Sequence, residues 1–198
     1  MDNLPYWNHN IAYYNWIKRQ TKKCNFVLDV GCGNGLLIHY IDNGKMSVTG
    51  IDTDHSCIEY CKSDYASDNI MFQQNDFLSF ETTNKYDVIT FVSSIHHMDM
   101  ESAVNKAKSL LNKNGKMIII GLAKPSNLFD YIVEVFRIIP VYLISAIRKS
   151  TTTEELNIPV SYAMPTMQYV RKIKKKMLPN SSLRYGLYYR YILTWVNR

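Results

Sequence analysis

One run constrains the fold more than any other part of the chain: Asn25-Phe-Val-Leu-Asp-Val-Gly-Cys-Gly-Asn-Gly-Leu36, followed by Val48-Thr-Gly-Ile-Asp52. Phe26, Val27, Leu28 and Val30 form an apolar run of strand length, the pattern of a parallel strand covered on both faces. Gly31, Gly33 and Gly35 permit a sharp turn and let a ligand lie against bare backbone. A helix starting near Gly35 aims its unpaired N-terminal amides at that ligand. The second strand ends at Asp52, where a carboxylate can accept both hydroxyls of a ribose. A chain built this way can hold an adenosine-bearing cofactor.

The spacing of the glycines separates two cofactor classes. A dinucleotide fingerprint is G-x-G-x-x-G, its third glycine permitting close helix–strand packing beside a pyrophosphate. Counted from Gly31, that third position is Leu36. The pattern is instead D-x-G-x-G-x-G, with Asp29 on the strand just before the turn. An acid there sits badly beside a pyrophosphate and suits the positively charged methionine moiety of S-adenosylmethionine (SAM). An ordinary glycine turn in an α/β protein explains the glycines but not Asp29 and Asp52 together.

At these residues the chain resembles a class I SAM-dependent methyltransferase of the small bacterial methyltransferase-domain type. Four further segments are similar to that family. Ile70-Met-Phe-Gln-Gln-Asn-Asp-Phe77 resembles the third strand and its exit; Asp76 matches the acid placed on the adenine amino group, and the Phe77 amide would meet a ring nitrogen. Tyr86-Asp-Val-Ile-Thr-Phe-Val-Ser-Ser-Ile-His-His-Met98 resembles the fourth strand and the loop facing the methyl group. Leu110 to Ile120 resembles the helix end, turn and fifth strand, and Tyr189-Arg-Tyr-Ile-Leu-Thr-Trp195 the last strand. The resemblance implies cofactor contacts from Asp29, Gly31, Cys32, Gly33, Gly35, Asp52, Thr53, Asp76, Phe77 and Ser93, with Thr53 as a wall of the adenine pocket. It is strong over 7–122, moderate over 165–198 and poor over 123–164.

The expected fold class is α/β: a Rossmann-like, doubly wound, seven-stranded sheet, mostly parallel, with an antiparallel C-terminal strand and a helical insertion after strand five. The residues alternate accordingly. A helix is expected over 7–20, strands over 25–30, 47–52, 70–74, 86–92 and 116–121, and helices over 35–43, 54–66 and 99–112. Residues 127–148 are apolar, and Pro140 is expected to kink or split them. Thr151 to Thr153 read as a loop, and Pro159 and Pro165 bracket an irregular stretch. A helix over 166–177 leads to strands near 182–187 and 190–196, with Gly186 to Tyr189 as turn or bulge. The 198 residues make one domain by default, with 1–20 as a lid helix and 123–164 as a cap over the substrate pocket.

Composition narrows the partners. No 18-residue run lacks charge, so no transmembrane segment is expected, and the N-terminus has no signal-peptide pattern; cytoplasm is the default location. Cys24, Cys32, Cys57 and Cys61 include no C-x-x-C pair, so no metal and reduced thiols are expected. The net charge of +6 is concentrated: 171–198 hold eight basic residues and no acid, leaving 15 basic against 17 acidic residues elsewhere. That end, interleaved with Tyr185, Tyr188, Tyr189, Tyr191 and Trp195, suits RNA or an anionic membrane; a solvated helix face followed by a hairpin packed on the sheet is the plainer reading.

Methyl transfer is an in-line displacement in which the protein mainly orients nucleophile and methyl group. The residues after strand four are Ser93, Ser94, Ile95, His96 and His97, with no (Asp/Asn)-Pro-Pro-aromatic motif, which argues against DNA-base, glutamine and some RNA-base acceptors. His96 or His97 is the candidate general base; alternatively one packs beneath the loop and the other caps the helix beginning near Asp99. His9, Tyr13 and Tyr14 are expected to line the substrate pocket from the lid. The function expected is methylation of a small molecule, with an RNA methyltransferase or a non-catalytic SAM-binding regulatory protein as rivals and 127–148 as a possible membrane contact.

Overall fold

The computed structural model describes residues 7–147 and 164–198, with the backbone alone at 138 and 140–147. Its strands are β1 (Phe26–Val30), β2 (Ser47–Asp52), β3 (Ile70–Gln74), β4 (Tyr86–Val92), β5 (Leu111–Leu122), β6 (Ser182–Tyr185) and β7 (Arg190–Val196). They form one sheet in the order β3-β2-β1-β4-β5-β7-β6. The first five are parallel, and β7 runs antiparallel to both β5 and β6.

Alternation along the strands divides the core into two layers. Leu28, Ile89, Phe91, Met117 and Ile119 face helices α4 (Met100–Leu110) and α6 (Met167–Met177). Val27, Val48, Val88, Ile118 and Ile120 face α1 (Tyr14–Thr21), α2 (Leu36–Ile41) and α3 (His55–Tyr65). β1 is buried from Val27 to Val30, as its unbroken apolar run requires. Between β3 and β4, Phe77 and Phe80 fill the core from a turn where a doubly wound fold ordinarily has a helix.

Several boundaries differ from the sequence reading. The expected helix over 7–20 begins later: Asn8 Oδ1 accepts from the amides of Asn10 and Ile11 and holds a turn, after which a 3-10 turn at Ile11–Tyr13 enters α1. α2 ends at Ile41 rather than 43, because Asp42 leaves helical geometry and its Oδ1 accepts from the Gly44 amide. β5 starts at Leu111, which pairs with Tyr86 before an irregularity in the register; the helix expected to reach 112 stops at Leu110. β6 ends at Tyr185, not 187. Pro140 does not split its segment: α5 runs unbroken from Leu128 to Ile147. Thr151 to Thr153, Pro159 and most of the end of the expected cap lie outside the described residues.

α5 is polarised inside out. Asp130, Glu134 and Arg137 point inward. Asp130 is 1% exposed and accepts from Ser126 and from Arg171 on α6, with the Tyr185 hydroxyl of β6 bonded to the same carboxylate. Arg137 pairs with Glu134, lies over the Tyr185 ring and donates to the Arg190 carbonyl. Phe129, Tyr131, Val135, Phe136 and Ile139 face outward. Among the described residues no helix is long and apolar enough to cross a membrane.

Candidate active site

The glycine turn after β1 is built as the sequence demands. Gly31, Gly33 and Gly35 have φ of 71°, 52° and 73°, a region other residues rarely adopt. A Cβ on Gly31 would overlap the Cβ of Ser94, so the Ser94 side chain at the β4 exit packs directly on the bare backbone of Gly31. A Cβ on Gly33 would meet no protein atom within 4 Å; the turn faces open space where a ligand can lie. Gly35 caps α2, and its own carbonyl begins the helix by accepting from His39.

Two carboxylates flank this turn. Asp52 is locked by the Gly33 amide on Oδ2 at 2.8 Å and the Asp54 amide on Oδ1 at 3.0 Å. Each oxygen keeps a lone pair, so the fixed carboxylate can still accept two ligand hydroxyls. Asp29 lies opposite Thr90 in the β1–β4 register and is 2% exposed. The Thr90 hydroxyl donates to it at 2.6 Å. Burial outweighs that bond, and with the nearby charge of Asp52 it raises the Asp29 carboxyl to about 7. A positive charge placed beside it would favour its ionised form.

The other expected cofactor residues surround the same end of the sheet. The Asn75 amide donates to the Asp52 carbonyl, which fixes the β3 exit beside β2. Asp76 is exposed; its Oδ1 accepts from the Leu78 amide at 2.6 Å, and its other oxygen has no partner among the described residues. Phe77 is buried edge-on to Phe91. Thr53 is exposed, and its carbonyl accepts from Gln74. Cys32 is buried, and its Sγ lies 3.8 Å from the Gly33 carbonyl. Hydrogen bonding with Cys61 and burial raise its thiol, against any nucleophilic role.

The β4 exit turns sharply. Ser93 has φ of 56°, and its hydroxyl donates to Asn10 Oδ1 at 2.8 Å. His96 and His97 follow in a 3-10 turn, their rings 4.2 Å apart. His96 Nδ1 is buried without a hydrogen-bond partner, and burial, His97 and Arg190 together lower this imidazole to about 4. His97 is exposed. Neither caps the next helix; Asp99 does so, accepting from the Ser102 amide.

The three expected lid residues diverge. His9 stacks on Tyr188 at 4.1 Å. Tyr13 donates to the Leu187 carbonyl at 2.7 Å, occupying space that only Gly186 leaves open, and burial pushes its hydroxyl up to about 12. Tyr14 packs against Tyr40 of α2. Sequence reasoning passed over Asn10, Thr90 and the role of Arg190. The available signal for Arg190 was a lone cation inside the apolar run of β7.

A sheet of this order, with β7 antiparallel, a left-handed glycine turn after β1 and a pinned acid at the end of β2, defines the class I SAM-dependent methyltransferase fold. The model of the methyltransferase-domain family matches residues 21–170, and the chain belongs to that family. It is 25% identical over 195 residues to the uncharacterized methyltransferase Mb0092 of Mycobacterium bovis, covering 96% of each chain. Among solved structures, PH0226 of Pyrococcus horikoshii is similar with a TM-score of 0.67 at 18% identity, over 100% of this chain and 97% of that one. SAM-bound CalS10, an amino pentose methyltransferase of Micromonospora echinaspora, aligns with a TM-score of 0.64 at 11% identity, over 96% and 90%.

Proposed function

We propose that the protein transfers a methyl group from SAM to a small-molecule acceptor. The observation that carries this reading is the pairing of an open left-handed glycine turn with two differently prepared acids, Asp52 fixed by the Gly33 amide and Asp29 buried beside it. In this reading the glycine turn and Asp29 hold the methionine end, Asp52 the ribose, and Asp76 with the Phe77 amide the adenine; Thr53 and Cys32 are walls. The bound cofactor supplies an electrophilic methyl group on a positively charged sulfur. The chain's own contribution is orientation and exclusion of water. Ser93 and the turn at His96 form the surface presented to the acceptor, with α5 as a cap anchored through Arg137 and His9 as part of the lid.

With its pKa near 4, His96 is neutral at physiological pH and too weak a base to hold a proton. In this reading it orients the acceptor rather than deprotonating it, and any proton the acceptor loses leaves to water or to His97. A small acceptor also agrees with the amino pentose named for CalS10. The RNA alternative loses support because three of its five aromatics, Tyr188, Tyr191 and Trp195, are buried, which leaves Tyr189 as the exposed ring for stacking.

The test is transfer of labelled methyl groups from SAM into a cell extract, with small molecules, RNA and protein counted separately. Label in the small-molecule fraction, lost with Asp52→Ala, is expected. Label confined to RNA would replace the acceptor assignment, and no label anywhere would favour a regulatory SAM-binding protein.

A further inference from the structure

Arg190 opens β7 and is 9% exposed, yet no carboxylate pairs with it among the described residues. Its Nε and Nη2 donate to Asn10 Oδ1 at 3.1 and 2.6 Å, and its Nη1 donates to the Tyr188 carbonyl at 3.0 Å. These bonds use three of the five N–H groups of a guanidinium. One on each terminal nitrogen is left over, and such charged N–H groups are the donors a carboxylate takes. The groups around it are the phenols of Tyr13, Tyr14 and Tyr188 and the imidazoles of His9 and His96, with no carboxylate among them. Burying a cation without an anion costs several kcal/mol, and such groups persist where a ligand completes them.

Two independent observations place this charge at the acceptor side of the site. Asn10 Oδ1, which holds the guanidinium, also accepts from Ser93 at the β4 exit. His96, on the same loop, keeps a buried Nδ1 with no partner. Around them, Trp7, His9 and Tyr188 form an aromatic cluster, with centroids 5.7 Å apart for Trp7 and Tyr188. Two N–H groups without a partner among the described residues, an orphaned ring nitrogen and an adjoining aromatic cluster are the elements of a receptor for a planar anion.

We propose that the methyl acceptor carries a carboxylate and that Arg190 recognises it, making Arg190 the specificity-determining residue of the site. The inference rests on the methyl-transfer reading given above. The acceptor's anion pairs with the two free N–H groups while Asn10 and Tyr188 keep the guanidinium in place, so the nucleophile is delivered past Ser93. The cofactor has a carboxylate of its own, and the test separates the two sources.

Benzoate and benzamide, which share shape and differ in charge, serve as probes for calorimetry on the full chain saturated with S-adenosylhomocysteine (SAH). Benzoate is expected to bind at least about tenfold more tightly, as one charge-assisted pair allows. Arg190→Gln should abolish that preference while leaving SAH affinity within about threefold; Arg190→Lys, which keeps the charge but not the fork, should retain part of it. Equal binding of the two probes in the unaltered protein overturns the proposal without any variant being needed. So does a preference that survives Arg190→Gln. If Arg190→Gln weakens SAM more than about tenfold but leaves decarboxylated SAM unchanged, the guanidinium belongs to the cofactor's carboxylate, and the acceptor assignment falls. Failure of SAH to bind the unaltered protein strikes the methyl-transfer reading instead, and the probe comparison on the free protein still reads the anion site.

Discussion

Replacing Asp29 by Asn separates what this residue does for the fold from what it does for the ligand. The carboxyl is buried and titrates at about 7 in the native state against an ordinary value of 3.8. Because the native value is raised, the native state holds a proton that the unfolded chain has already released between those limits. Native stability therefore falls as pH rises from about 4 to about 7 and levels off above, with a loss of about 1.4 kcal/mol per pH unit. Roughly three units give a penalty of about 4 kcal/mol at pH 8, an upper figure that relaxation around Thr90 would reduce. Asn is isosteric and uncharged and can still accept from the Thr90 hydroxyl. Urea unfolding of both forms should show Asp29→Asn more stable at pH 8 by up to about 4 kcal/mol and equal near pH 4. SAM affinity in the unaltered protein should rise about tenfold per pH unit up to 7 and be flat with pH in the variant, since the positive ligand selects the ionised acid. A variant no more stable than the parent at pH 8 would refute the reasoning, because it would mean that the fold already stabilises the charged form.

Asp52→Ala should weaken SAH binding by about 2–3 kcal/mol, read by calorimetry, since a fixed acceptor of two ligand hydroxyls is removed. Gly31→Ala should destabilise the protein by several kcal/mol in chemical unfolding, because the new methyl overlaps Ser94 and the backbone keeps φ of 71°. Asp130→Asn should cost about 3 kcal/mol and loosen α5 in hydrogen exchange. Burial raises this carboxyl, but hydrogen bonds from Arg171, Tyr185 and Ser126 outweigh it and leave it well below the ordinary range, so the stability it confers is lost only in strong acid. The methylation rate should show no inflection from His96 between pH 6 and 8, because that ring titrates at about 4; a lost activity in His96→Ala together with a pKa near 7 would contradict this.

The parts legible in the sequence are those written locally. β1, its glycine turn and Asp52 lie in one continuous pattern of strand, left-handed residues and strand end, and the observed φ values are what that pattern requires. The helix starts near 54 and 99 were legible for the same reason, whereas the capping side chains, Asp54 and Asp99 themselves, emerge only in the structure. What stayed hidden depends on residues far apart in the chain. Asn10 and Arg190 meet across 180 positions. Periodicity would turn Asp130, Glu134 and Arg137 to solvent, whereas partners on α6, β6 and β7 draw them inward and leave the apolar face outside. The early start of β5 likewise follows from pairing between Leu111 and Tyr86, which no local propensity encodes.

Calorimetric titration of the whole chain with SAM and with SAH, using NAD as the control, tests the central claim most directly. One site of micromolar affinity for both, with none for NAD, is the predicted result. Absence of binding by SAM and SAH, or equal binding of NAD, would contradict the assignment of the glycine turn and its two acids.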